Sequence, residues 1–267
     1  MLCSLLGYSR QSFYKRQESD EENVYQEAIL LEKVQDIRET QPRIGGRKLH
    51  MTLRDFMHGH QMEIGRDRFF DFLASHHLLI RQKRRKKPIT TISYHWLKKY
   101  PNLIRDLVPE RPNLLWVSDI TYLRLQKGFC YLALITDVYS RKIIGYEVSD
   151  TLEIKGPLKA LNRACTGKAN RKTIHHSDRG FQYCSDRYTK KLKHHNIEIS
   201  MGEVGNCYEN ALAERVNGIL KSEFNLDETF LNLAHAIKAV KQSVKTYNEL
   251  RPHMSLGMQK PTDLYAA

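Results

Sequence analysis

The chain has 267 residues, enough for one large domain or two modest ones, and its formal net charge of +13 favours a polyanionic partner, either DNA or an anionic membrane surface. No apolar run approaches the roughly 20 residues that cross a bilayer, and the first residues lack the pattern of a secretory signal, so we expect a cytoplasmic protein. The five cysteines are scattered without a Cys-x-x-Cys pair, which argues against a disulfide framework and a thiolate zinc site.

Helical patterns dominate the N-terminal part of the chain. Residues 1–16 predict a short apolar helix, a turn at Gly7 and a second helix capped by Ser9. This unit is either a helix-turn-helix remnant that presents Arg10, Gln11 and Lys15 to DNA or an N-terminal packing helix. Apolar residues at helical spacing predict further helices over 22–40, 49–58 and 65–76.

A basic run follows at residues 81–87, where six of the seven side chains are cationic. It is either a solvated linker or a segment that tracks DNA phosphates, and its place between two candidate DNA-binding parts favours the second interpretation. Residues 88–112 lack strong periodicity, so they predict the connection to the next domain.

The pattern then changes to strands. Three strands are predicted over 114–125, 129–137 and 142–149, and the two short turns between them indicate an antiparallel meander. The remaining elements are predicted as a helix over 153–165, a strand over 172–176, a helix over 185–195, a strand over 197–201, a helix over 210–221 and a last helix over about 230–250.

Three acids stand out by their positions in these elements. Asp119 lies in an apolar, β-branched strand, where a charge is costly unless it is paired or binds a metal. Asp178 follows a strand end, and Glu214 lies on the polar face of an amphipathic helix, which is either an ordinary solvated face or part of a site. Three converging carboxylates would repel one another, and their oxygen ligands suit Mg²⁺ or Mn²⁺. The polar face of this helix carries Asn210, Glu214, Asn217 and Lys221.

Other titratable residues near these acids have structural interpretations. Asp137 lies in a strand-like run and could be a metal ligand, but the predicted meander places it away from Asp119, and Glu223 rotates off the helix face of Glu214. His175 and His176 lack the further nitrogen or sulfur ligands that a zinc pair needs, so we expect a structural or DNA-contacting role for them.

These residues and the sequence motifs around them resemble those of the second-frame (OrfB-type) transposases of the insertion-sequence family usually numbered three. The core of these transposases is similar to retroviral integrases and other DDE polynucleotidyl transferases. Asp119 and Asp178 are 178 − 119 = 59 positions apart, Asp178 and Glu214 are 214 − 178 = 36 apart, and the family's basic residue seven positions further is Lys221. The matching sequence motifs together cover most of residues 112–262: Trp116-Val-Ser-Asp-Ile-Thr, Thr136-Asp-Val-Tyr-Ser-Arg-Lys-Ile-Ile-Gly, His176-Ser-Asp-Arg-Gly, Gly205-Asn-Cys-Tyr-Glu-Asn-Ala and Tyr247-Asn-Glu-Leu-Arg-Pro-His-Met-Ser-Leu-Gly.

The resemblance implies an α/β, ribonuclease H-like mixed-sheet catalytic core preceded by a small all-α, helix-turn-helix-like region. It implies metal-dependent DNA cleavage and strand transfer, with Asp119, Asp178 and Glu214 as catalytic ligands of two Mg²⁺ ions and Mn²⁺ as a substitute. Two rival functions are a nuclease of the same fold that does not join strands and a catalytically dead DNA-binding regulator. The candidate DNA contacts are Lys221, Asn210, Arg47, Lys48, Arg81, Lys83, Arg84 and Arg85.

Four segments follow from this interpretation. Residues 1–80 are predicted as the helical DNA-binding region, 81–111 as the basic linker, 112–225 as the catalytic core, and 226–267 as a C-terminal helix and tail that pack on the core. The implied partners are double-stranded DNA, further copies of the chain bound to that DNA, and a first-frame (OrfA) protein or a fusion with it, without a membrane. The expected location is the nucleoid of a bacterial cytoplasm.

Overall fold

The computed structural model describes residues 9–81, 95–166, 172–202 and 211–266. The chain divides into two compact units, Met1–Arg81 and Gln82–Ala267. Within the described ranges, no helix is long and apolar enough to cross a membrane. Each unit packs its own apolar residues into a core.

The first unit consists of three helices, α1 (Arg10–Thr40), α2 (Gly46–Gly59) and α3 (Arg66–Ser75). Leu30, Leu49 and Phe69, one from each helix, are fully buried in its core. The two helices predicted around residues 9–16 and 22–40 are one continuous helix from Arg10 onward, because no glycine or proline interrupts this stretch. The helix and turn predicted before Ser9 lie outside the described residues.

The second unit alternates strands and helices. Its first half confirms the predicted antiparallel meander, since β2 pairs with β1 on one side and with β3 on the other. Its elements are β1 (Leu115–Leu125), β2 (Phe129–Asp137), β3 (Ile143–Ser149), α4 (Lys155–Thr166), β4 (Ile174–Ser177), α5 (Phe181–Cys184), α6 (Asp186–His194), β5 (Glu198–Met201), α7 (Ala211–Glu223), β6 (Thr229–Phe230), α8 (Leu233–Glu249), a 3-10 turn (Met254–Leu256) and α9 (Pro261–Ala266).

The strands form one mixed sheet with β1 near its centre. Among the described residues the order is β3-β2-β1-β4-β5, with β6 paired to the far end of β1. β1, β4 and β5 run parallel to one another, whereas β2 lies antiparallel to both β1 and β3. This mixed sheet is the ribonuclease H-like α/β arrangement that the sequence predicts.

Helices cover both faces of the sheet and leave β1 between two apolar cores. One core includes Trp116 of β1 and side chains of α4, α5 and α6. The other includes Leu123 of β1 and side chains of α7 and α8. Because successive strand residues point to opposite faces, Ser118 shares the face of Trp116, while Asp119 shares the face of Leu123.

Candidate active site

The pairing of β1 with β4 determines where the first two acids meet. The strands run parallel with Trp116 opposite His175 and Val117 opposite His176. Two residues further along each chain stand Asp119 in β1 and Asp178 just after β4. Two acids separated by 59 positions in the sequence are therefore neighbours across adjacent parallel strands.

Asp119 is in an environment that opposes its charge. Burial raises the pKa of its carboxyl to about 7, and the negative charge of Asp178 is the next largest cause. Glu214 raises this pKa further, whereas hydrogen bonds from Asn217 and the backbone of Ile120 lower it. Asp178 and Glu214 are thus both within electrostatic reach of Asp119, as like charges that disfavour its ionisation.

Asn217 is a direct hydrogen-bond partner of Asp119. Its side-chain amide donates a hydrogen bond from Nδ2 to Oδ2 of Asp119 across 2.7 Å. The sequence predicts Asn217 on the polar face of its helix, which is either solvated or part of a site. Asn217 is only 5% exposed, because this side of α7 packs against β1 next to Asp119. Asn217 follows Glu214 by one helical turn, and this spacing is the sequence pattern that indicates a position beside the acids.

Lys221 lies one further turn along α7 and also contacts β1. Its ammonium donates from Nζ to Oγ1 of Thr121 across 2.5 Å. Thr121 is two positions beyond Asp119 and therefore lies on the same face of the strand. Asn217 and Lys221 of α7 therefore both contact β1, at Asp119 and at Thr121. Lys221 places a positive charge at the edge of this site.

The segment after Asp178 is a tight turn. Oδ1 of Asp178 accepts a hydrogen bond from the backbone N–H of Gly180 across 2.9 Å. A Cβ added to Gly180 would stand 2.9 Å from the same oxygen, closer than side chains normally approach. Glycine at this position lets the backbone come near the carboxylate and fix its direction.

The donor chemistry of this site fits a hard divalent cation. Carboxylate oxygens are the ligands that Mg²⁺ prefers, and a cation would relieve the repulsion that raises the pKa of Asp119. However, no three His, Cys, Asp or Glu side chains in the described ranges are grouped closely enough to hold a metal ion. The expected convergence of all three carboxylates is therefore not complete: Asp119 is half-buried, and Glu214 stands exposed in the first turn of α7.

The candidate DNA contacts divide into three groups. Arg47 and Arg81 are exposed, as a phosphate contact requires. Lys48 is only 8% exposed, which leaves little of the residue available to a DNA phosphate, and its contact with DNA stays a prediction. The other four candidates, apart from Lys221, lie outside the described residues: Lys83, Arg84, Arg85 and Asn210.

Two acids outside the predicted triad have structural roles, as predicted. Asp137 is fully buried, which raises the pKa of its carboxyl, and it accepts hydrogen bonds from the backbone N–H groups of Asn113 and Ser140 and from the hydroxyl of Ser140. Glu223 accepts two hydrogen bonds from the buried guanidinium of Arg251, both across 2.8 Å. This ion pair joins the end of α7 to the residue just beyond α8.

Known proteins resemble the chain in sequence and in fold. Two family models, both described as an integrase core domain, match residues 109–207 and 195–261. The chain is 35% identical to the insertion element IS600 uncharacterized 31 kDa protein of Shigella sonnei, over 97% of this chain and 96% of that protein.

A second relative and a solved structure extend this similarity. The chain is 36% identical to the transposase InsF for insertion sequence IS3A of Escherichia coli (strain K12), over 68% of this chain and 65% of the relative. The cryoEM structure of the simian T-cell lymphotropic virus intasome in complex with PP2A regulatory subunit B56 gamma aligns with a TM-score of 0.53 at 19% identity, over 84% of this chain and 75% of that one. This last likeness concerns the fold alone.

Proposed function

Because the chain belongs to the family of insertion-sequence transposases with an integrase core domain, we propose that it cleaves DNA strands at the ends of an insertion sequence and joins them to a target. The observation that carries this proposal is the β1–β4 register, which makes Asp119 and Asp178 neighbours across adjacent strands. The influence of Glu214 on the pKa of Asp119 adds the third acid. We assign these three as the catalytic residues.

The cofactor of this reaction is proposed to be Mg²⁺, with two ions for each site and Mn²⁺ as a substitute. When bound, such ions stabilise the charge that develops on the phosphoryl oxygens during an in-line displacement. Asp119, Asp178 and Glu214 would hold them through carboxylate oxygens. Asn217 keeps one oxygen of Asp119 directed by its hydrogen bond, and Lys221 supplies a cation that holds a DNA phosphate beside the site.

The proposed reaction has two displacements at phosphorus. Water first attacks a phosphodiester at the element's end, so that one P–O bond forms, another breaks and a 3′-hydroxyl leaves. That hydroxyl then attacks a phosphodiester of the target, forming a new P–O bond while the target's own 3′-oxygen leaves. Each step breaks one P–O bond and forms another, so no external energy source and no covalent protein–DNA link are required.

The proposed partners are double-stranded DNA and further copies of this chain. A formal net charge of +13 favours binding to the DNA backbone, and the basic run at residues 81–87 adds a dense group of cations. We propose that two or more copies hold the two ends of one element, with a first-frame protein or as a fusion with it. The bacterial nucleoid is where this work would take place.

The proposal is tested by an assay of cleavage and joining. The substrate is a labelled duplex taken from the DNA on either side of the gene, incubated with the protein, a target duplex and Mg²⁺, with and without the product of an overlapping upstream frame. We expect 3′-hydroxyl ends followed by joined strands. Asp119→Asn, Asp178→Asn and Glu214→Gln should each abolish both products while the fold is kept. Asp186→Asn, which changes an exposed acid of α6, is the matched control and should retain both products.

The rival functions give different products in the same assay. A nuclease of this fold would release cleaved ends that never join, even with excess target. A catalytically dead regulator would bind the duplex and leave it intact in Mn²⁺ as well as in Mg²⁺. Normal joining by Glu214→Gln would remove this residue from the proposed site.

A further inference from the structure

Three polar side chains meet in the apolar core on the opposite face of β1 from Asp119. Ser118 and Tyr188 are fully buried, and His175 is 1% exposed. The hydroxyl of Ser118 is hydrogen-bonded to Nε2 of His175, and the hydroxyl of Tyr188 lies 3.0 Å from the same nitrogen. Two hydroxyls therefore lie within hydrogen-bond distance of one imidazole nitrogen, inside a core that is otherwise built largely from apolar residues.

This network joins three elements directly behind the proposed active site. Ser118 immediately precedes Asp119 in β1, His175 lies in β4 three positions before Asp178, and Tyr188 comes from α6. The hydrogen bond between Ser118 and His175 crosses from β1 to β4, the two strands whose register brings the acids together. A movement of either strand would break it.

Tyr183 of α5 connects the network to the acids. Its ring packs 5.3 Å from that of Tyr188 and 6.2 Å from that of His175, measured between centroids. Burial is the main reason why the pKa of Tyr183 lies well above its ordinary value, and the charges of Asp119 and Asp178 raise it further. The aromatic side of the network is thus close enough to the acids to feel their charge.

Apolar packing alone does not require these polar groups. Burying hydroxyls and an imidazole costs free energy that hydrogen bonds only offset, whereas alanine and phenylalanine would fill similar space without polar atoms. Unlike apolar contacts, hydrogen bonds are directional, so the bonds from Nε2 of His175 to the two hydroxyls favour one arrangement of the strands. In this protein the network fixes the position of β1, which carries Asp119, relative to β4, which leads to Asp178.

We propose that Ser118, His175 and Tyr188 are positioning residues, which hold β1 and β4 in the register that lets Asp119 and Asp178 bind a divalent cation together. This proposal rests on the proposed function. The three residues touch neither DNA nor the reacting atoms, and they act through the two acids. Groups that orient metal ligands from behind typically change metal affinity or activity by about 10- to 100-fold when they are removed.

The test uses Tyr188→Phe, which removes one hydroxyl and keeps the buried ring. The affinity of the full-length protein for Mn²⁺ is measured from the free ion remaining in solution, which needs no activity, and the Mn²⁺ dependence of DNA cleavage is measured beside it. We expect roughly tenfold weaker Mn²⁺ binding. The affinity for DNA in the absence of metal should not change. Ser118→Ala should behave alike, and the two changes together should cost less than their sum, because both break one network.

Tyr247→Phe is the matched control. Tyr247 is also fully buried, and its hydroxyl donates one hydrogen bond, to the backbone oxygen of Arg141 across 3.0 Å, within the contacts of α8 and the β2–β3 turn. It should lose thermal stability comparable to that of Tyr188→Phe while keeping the Mn²⁺ affinity of the wild type. An equal loss of Mn²⁺ affinity in this control would reduce the effect to general destabilisation and overturn the proposal.

The remaining outcomes separate this inference from the proposed function. Wild-type Mn²⁺ affinity and cleavage in both Tyr188→Phe and Ser118→Ala would overturn the positioning role and leave the proposed function standing. A wild-type protein that binds Mn²⁺ but neither cleaves nor joins DNA would overturn the proposed function, while weaker Mn²⁺ binding in the variants would still support the positioning role.

Discussion

Asn217 donates its side-chain N–H to Oδ2 of Asp119 across 2.7 Å, although the two residues are 98 positions apart in the chain. The contact links α7, which carries Glu214, to β1, which carries the first acid. This hydrogen bond stabilises the charge of a half-buried carboxylate that two other acids repel, as the backbone N–H of Ile120 also does. The pairing makes the ionisation of Asp119 depend on a neighbouring amide.

Replacing Asn217 by alanine should therefore move the pH dependence of cleavage. The hydrogen bond from Asn217 lowers the pKa of Asp119, so its loss should raise that pKa above the value of about 7. Because the cation binds the ionised carboxylate, the rise of activity with pH should shift to higher pH in Asn217→Ala. The measurement is the cleavage rate at saturating DNA as a function of pH.

The control for this prediction is Asn232→Ala. Asn232 caps α8 by accepting a hydrogen bond from the backbone N–H of His235 across 2.9 Å. Loss of such a cap costs about 1 kcal/mol of stability. This variant should therefore be destabilised with an unchanged pH profile. A profile of Asn217→Ala that superimposes on the wild type would contradict the assignment.

Lys221 should act on DNA rather than on the metal. Its ammonium is held by Thr121, two positions beyond Asp119, where it adds a positive charge beside the acids. Lys221→Ala should weaken the positioning of DNA, and Lys221→Arg should keep part of the function, because both cations bind phosphate with different geometries. The measurement compares DNA affinity and the Mn²⁺ dependence of cleavage at saturating DNA. A variant that binds DNA normally and needs far more metal would place Lys221 within the electrostatics of the metal site instead.

The basic run should contribute to DNA binding without regard to sequence. Changing Lys83, Arg84 and Arg85 to alanine should lower the slope of log affinity against log salt by about 0.9 for each lost phosphate contact on duplex DNA. Lys238→Ala, Lys241→Ala and Lys245→Ala combined remove the same charge from the exposed side of α8 and serve as the control. An unchanged slope in the first variant would return the run to a solvated linker.

His175 should make the stability of the metal-free protein depend on pH. Burial lowers the pKa of its imidazole from 6.5 to about 3, with the charge of His176 as a smaller cause. Below about pH 6.5 the imidazole of His175 is protonated in the unfolded chain, whereas in the folded chain it stays neutral until the pH approaches 3. The free energy of unfolding therefore falls as pH drops from about 6.5 towards 3. His175→Gln should flatten this dependence.

Denaturant unfolding at several values within this pH window measures the effect, with the fluorescence of the buried Trp116 as the signal. His194 lies exposed at the end of α6, and His194→Gln should keep the wild-type dependence on pH. The same slope in wild type and His175→Gln would show that other groups cause the acid sensitivity.

The sequence by itself determined the type and order of the longer elements in the second unit, but it did not predict the short elements α5, β6 and α9. Period-two runs of apolar and β-branched residues predicted the meander, and 3.6-residue periodicity predicted the helices, because these patterns depend on which residues are local neighbours. The bounds differ by a few residues at most, as for the strand predicted over 172–176 and found at Ile174–Ser177. Spacing and resemblance also singled out Asp119, Asp178 and Glu214.

Only the tertiary structure decided which side chains meet. Periodicity placed Asn217 on a polar face that could be solvated or part of a site, and the packing of α7 against β1 buries it beside Asp119. No sequence pattern predicts that Ser118, His175 and Tyr188 share one hydrogen-bonded network, because this depends on the parallel register of β1 and β4 and on the docking of α6. Such contacts join residues far apart in the chain, and their partners are chosen by how the whole sheet packs rather than by any local pattern.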